Sequence, residues 1–153
     1  LIYEALDDAS STVRSKALHM LARIRKPHVH QHIMECIEAP RFQPLPLEEK
    51  RRYFAAAALT GRPNDAFLEI FGHGGLLRKG NDDMRHCAAV GLGIRLHREA
   101  AGLFDKELKR RMRSEVVAEA CTWALQHFEC DREQRTRQLY DIFFQGSLNR
   151  TGG

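Results

Sequence analysis

The chain has 153 residues, 43% hydrophobic and 29% charged, and a net charge of +4. That length suits one domain able to bury roughly 70% of its unfolded surface. No run approaches 18 apolar residues, which excludes a membrane-spanning helix.

In chain order, Ser10 and Ser11 predict the cap of a helix running to about Lys26, where Pro27 stops it. Residues 28–38 then place Val29, Ile33, Met34 and Ile37 at helical spacing. Pro40, Pro44 and Pro46 make an extended connection, because each proline drives its predecessor from helical geometry. Pro46 suits a first helical position and Glu48 and Glu49 a first turn; that helix ends at Gly61. Asn64 and Asp65 open a short helix to Gly72, followed by a glycine-bearing loop to Asn81. Asn81, Asp82 and Asp83 cap a helix to about His97. Asp105 opens one long helix with Leu108, Met112, Val116, Ala120, Ala124 and Phe128 on one face. Asp131 and Gln134 predict a capping box for a last helix carrying Leu139, Ile142 and Phe143. Residues 147–153 read as a loose polar tail, which leaves 1–146 as the domain. No segment alternates as a strand does, so the expected fold class is all-α.

Three of these helices share Arg-x-x-Ala-x-x-x-Leu: Arg14-Ala17-Leu21, Arg52-Ala55-Leu59 and Arg85-Ala88-Leu92. The copies start 38 and then 33 residues apart. Self-similarity at a period of roughly 20–50 residues predicts stacked units, each burying its apolar face on the next. Leu6-Asp7-Asp8 followed by Val13-Arg14, Ala17, Leu21 and Ile24 resembles the HEAT-repeat signature. Asp82-Asp83-Met84-Arg85 with Ala88 and Leu92 repeats it, and the copy at Arg52 lacks the Asp. The resemblance covers about residues 1–96. It implies an α-solenoid of three to four HEAT-like antiparallel helix pairs with a C-terminal helical cap. It further implies that Arg14, Arg52 and Arg85 are structural and bridge to acids such as Asp8 and Asp83. The chain opens on what reads as the end of a helix, so a longer parent protein is expected.

Aligning the second helices of the pairs gives the expected surface. The outward positions of the first are Ser15, Lys16, His19 and Arg23, a wet face. Those of the second are Tyr53, Phe54, Ala57 and Gly61, and those of the third are His86, Cys87, Val90 and Ile94. A helix apolar nearly all round is covered on both sides. The cover is either the chain's own C-terminal helices or a protein partner on a concave groove at Phe54, Ala57, Val90 and Ile94. Arg23, Arg51, Arg78, Arg110 and Arg111 are expected at the rim, giving charge selectivity. With 18 Arg against 6 Lys, bidentate contacts to carboxylate or phosphate are favoured. The leading expectation is therefore a non-catalytic protein-interaction or scaffold module. The alternative is a nucleic-acid-associated module in which helix ends align the arginine bursts into one stripe.

Motifs for chemistry are absent or incomplete. His28, His32 and Cys36 lie on one helical face, but eight residues span about 12 Å, too far for one ion. Gly72-His73-Gly74-Gly75 lacks the Gly-Lys-Ser/Thr ending of a phosphate loop. No Gly-x-Ser-x-Gly occurs, nor the His-Glu pair of catalytic HEAT-like proteins. No metal, cofactor or small-molecule substrate is expected. Cys36, Cys87, Cys121 and Cys130 form no CxxC and read as reduced, buried thiols of a cytoplasmic protein.

Overall fold

Helix starts follow local chemistry. In the computed structural model, which describes residues 2–72 and 82–148, the Ser10 hydroxyl accepts from the Val13 amide at the head of α1 (Ser11–Ala22). Pro27 opens α2 (Pro27–Glu38), where its missing N–H costs nothing. Helix α3 (Leu47–Thr60) has Glu48 and Glu49 in its first turn, and α4 (Asn64–Gly72) and α5 (Asp82–Ile94) follow. Then come α6 (Ala101–Leu108), α7 (Glu115–Glu129) and α8 (Arg132–Tyr140), the last opened by the Asp131–Gln134 capping box. A π-helical turn at Asp141–Gln145 ends at Gly146, whose φ of 64° favours glycine. Among the described residues there are eight α-helices and no strand, so the fold is all-α.

The expected long helix from Asp105 to Phe128 is two helices. Arg113 Nη1 donates to the Leu108 carbonyl at 2.7 Å, closing a turn, and Ser114 then caps α7 by accepting from the Val117 amide. Met112, expected on the apolar face, stands in that turn and is 89% exposed. Four cations at Lys109, Arg110, Arg111 and Arg113 would crowd a continuous helix, whereas the turn splays them into water.

Helices α1, α3, α5 and α7 lie side by side as an inner row, each packed on the next. Helices α2, α4 and α6 form the outer side, packed on α3, α5 and α7 respectively. The eight helices pack closely as a globular bundle. The inner helices run parallel and in register: Arg14 of α1 meets Glu49 of α3 at one end, and Arg95 just past α5 meets the Ala58 carbonyl of α3 at the other. Small side chains make this close approach feasible. Ala55 to Ala58 of α3 and Ala88 and Ala89 of α5 are all buried, and Gly93 faces Ala124 of α7. Between inner and outer helices run two series of rings, Phe42 to Phe54 at 6.2 Å and Phe54 to Phe67 at 5.0 Å, then Phe71 to Phe104 and Phe104 to Phe128. Gly91 is required here, because the Phe67 ring occupies the place of any Cβ.

The C-terminal turn folds back onto α1 and α3. Leu148 packs against the core, so the expected loose tail is in part docked, and the rest of it lies outside the described residues. The expected loop at Gly72–Asn81 falls largely outside them as well, with Arg78 and the Asn81 cap.

Candidate interaction surface

Among the described residues, the positions expected to line an apolar partner groove are enclosed by the chain itself. Phe54, Ala57 and Val90 are fully buried and Ile94 is half-buried. Phe54 points to the outer helices, between Phe42 and Phe67. The chain's own C-terminal turn covers part of the inner row: Arg51 Nη2 donates to the Gly146 carbonyl at 2.8 Å and Arg52 Nε to the Ile142 carbonyl at 3.2 Å. Arg51 is thus no rim residue. It is 6% exposed, and burial pushes its guanidinium below the ordinary value. Its Nη1 donates to His86 Nε2 at 3.0 Å, and His86 Nδ1 donates to the Val116 carbonyl at 2.6 Å. A carbonyl can only accept and a guanidinium can only donate, so His86 is held as the neutral Nδ1–H tautomer. Burial, partly offset by Val116 and deepened by Arg51, pushes its pKa down to about 4.

At the N-terminal edge of the inner row, cations are engaged by acids. Arg14 Nη2 donates to Glu49 at 2.6 Å and Arg14 Nη1 to the Asp8 carbonyl. Lys50 pairs with Asp83 at 3.6 Å. Arg85 holds Glu107 through both terminal nitrogens and donates through Nε to the Phe71 carbonyl. Arg110, expected at the rim, pairs with that same Glu107. The motif arginines therefore bridge helices, but with Glu49 and Glu107 as acids in place of Asp8 and Asp83. The Asp8 carboxylate instead accepts from the Ser10 amide. Burial alone would raise the Glu107 carboxyl; hydrogen bonds from Arg85 and Arg110 outweigh it and hold the group below its ordinary value. Arg111 is exposed in the 109–114 turn.

The C-terminal edge is different. Arg23 and Arg25 follow α1, Arg62 follows α3, and Arg95 and Arg98 follow α5. None of these five lies within ion-pair distance of a carboxylate among the described residues. Burial and then the like charges of Arg62 and Arg25 lower the pKa of Arg95, whose Nε is buried without a hydrogen-bond partner. Arg98 donates only to the Phe128 carbonyl at the end of α7. Cations here favour the negative ends of four parallel helices, but their charge is not neutralised by acids. Among the described residues the cations of the inner row divide between an engaged edge and an unengaged one.

A groove of about 380 Å³ opens between α1 and α8 at that second edge. Leu59, Leu139 and Phe143 give it an apolar floor; Arg23 and Arg25 form one lip and Tyr140 the other. His19 packs edge-on against Phe143 and Phe144, and burial and then Arg23 hold its pKa below the ordinary value. Sequence reasoning placed Arg23 at the rim and read Arg25 with it in one basic burst, but missed Arg62, Arg95 and the α8 wall. The available signal was positional: each of these arginines sits one to three residues past an inner helix.

A second hollow of about 230 Å³ lies at the engaged edge, between Arg14, Arg41, Cys36 and Tyr53. Its arginines are held by Glu49 and Asp7. Burial raises the Cys36 thiol and pushes Tyr53 up to about 12, so it offers no nucleophile near neutral pH. None of the four cysteines is in a disulfide and all are buried. Among the described residues no group of three or more His, Cys, Asp or Glu could hold a metal, and no helix is long and apolar enough to cross a membrane. Comparison with protein-family models, curated proteins and solved structures finds no match to this chain.

Proposed function

We propose that this domain is a non-catalytic interaction module, a short α-solenoid of HEAT-like helix pairs that binds an acidic surface of a protein partner through its C-terminal arginine edge. The observation that carries the reading is the asymmetry of charge pairing: Arg14, Lys50 and Arg85 at one end of the inner row hold acids of the chain itself, and Arg23, Arg25, Arg62, Arg95 and Arg98 at the other hold none. Arginine forks suit carboxylates on a partner, and such complementarity sets on-rate and specificity. The HEAT-like arrangement is supported by the two-sided order of inner and outer helices and by motif arginines that bridge neighbouring helices, Arg14 from α1 to the inner helix α3 and Arg85 from α5 to the outer helix α6. The test is a nuclease-treated pull-down from source-cell lysate, comparing the domain with its Arg62→Glu/Arg98→Glu variant. One dominant protein should be retained by the first and lost by the second. Recovery that collapses with nuclease would transfer the edge to nucleic acid, and recovery indifferent to the variant would remove the edge from the account.

A further inference from the structure

We propose that the groove between α1 and α8 is a docking site for a short acidic peptide segment carrying one bulky apolar anchor residue. This rests on the arginine edge being the partner surface and specifies what that surface reads. The groove's volume lies within the ~300–1,000 Å³ range of ligand pockets, and its floor is made by Leu59, Leu139 and the edge of Phe143. An apolar side chain removes that floor from water. Arg23 and Arg25 on the lip are exposed, hold no carboxylate of the chain, and lie where residues flanking the anchor would pass. Arg62 and Arg95 continue the positive charge beyond the groove, close enough to one another and to Arg25 for their fields to add.

The lining argues against a nucleic-acid strand. Bases need exposed ring faces on which to stack. Of the Phe and Tyr rings that line the groove, Phe143 is 1% exposed and Tyr140, though 55% exposed, is tilted against Phe144 at 4.8 Å, so a strand would meet one partly covered ring in place of a row of stacking faces. Aliphatic side chains on the floor take a Phe, Leu or Trp side chain instead. Apolar anchor and charged flanks together match the general anatomy of a small interface, with a dry centre and a polar rim.

The experiment uses fluorescence anisotropy with the full chain and four fluorescein-labelled probes. They are a peptide with a central Phe flanked by Glu and Asp, its Gln/Asn counterpart, its Phe-to-Ala counterpart, and an oligodeoxythymidylate. The acidic Phe peptide should bind about tenfold or more tightly than either counterpart, a difference typical of one anchor or one charge cluster. Arg23→Glu/Arg25→Glu should erase the preference for acids. Thr136→Trp, which fills the groove from an exposed position, should erase the preference for Phe while leaving binding by charge. Circular dichroism matching the parent establishes that both variants fold. Equal binding with and without Phe, sensitive to Arg62→Glu, would overturn the groove and leave the arginine edge standing. Acidic peptides no better than neutral ones would overturn both, and tighter binding of the oligonucleotide would overturn the peptide as occupant.

Discussion

His86 shows how one buried side chain couples the fold to pH. Its pKa falls from 6.5 in the unfolded chain to about 4 in the fold. Between those values the unfolded state binds more protons, so stability is full above pH 6.5 and declines as pH falls towards 4. Glu107, held below its ordinary value of 4.5, adds a further loss at still lower pH. Thermal unfolding followed from pH 7 to pH 4 should show a steadily falling midpoint, and His86→Gln should flatten that fall above pH 4.5. At Gly91, a methyl group would meet the Phe67 ring; Gly91→Ala should cost about 1–3 kcal/mol in a denaturant titration. Val90 is wholly enclosed, so Val90→Asp should abolish the helical circular dichroism signal instead of merely weakening partner binding.

At the scale of elements, single pairings tie one helix to the next. Removing Arg85 would leave Glu107 as a buried carboxylate with only the exposed Arg110 to answer it. Arg85→Ala should therefore cost about 3–5 kcal/mol by chemical denaturation. Loss of the α7 cap in Ser114→Ala should cost about 1 kcal/mol in the same measurement. These elements also mark what a sequence shows and hides. Prolines, caps and helical spacing made most helices legible, because those signals act within one turn of the residues that carry them. The split at Lys109–Ser114 was hidden because the apolar spacing of Leu108, Met112 and Val116 continues across it, while a turn bond and a serine cap interrupt the backbone. Burial of Phe54, Ala57 and Val90 was hidden for another reason. Periodicity reports that a face is covered, and only tertiary structure reports that Phe42, Phe67 and the C-terminal turn take part in the covering.

Across the whole molecule the arginines fall into two populations with different work. Arg14, Arg51, Arg52 and Arg85 tie helices to each other and to the C-terminal turn. Arg23, Arg25, Arg62 and Arg98 are exposed at the opposite edge without a carboxylate. Sequence bursts could not separate these groups, since the partners of Arg14 and Arg52 lie 35 and 90 residues away. If the edge is the contact surface, affinity for the partner should fall as salt rises, because exposed charges are screened beyond roughly 10 Å at 0.1 M. The most direct measurement is arginine modification by phenylglyoxal, read residue by residue by mass spectrometry, with and without the captured partner. The account predicts fast modification of Arg23, Arg25, Arg62 and Arg98, slow modification of Arg14, Arg51 and Arg85, and protection of the fast group when the partner is added. Protection confined to Arg41, Arg110, Arg111 and Arg113 at the other edge would contradict it.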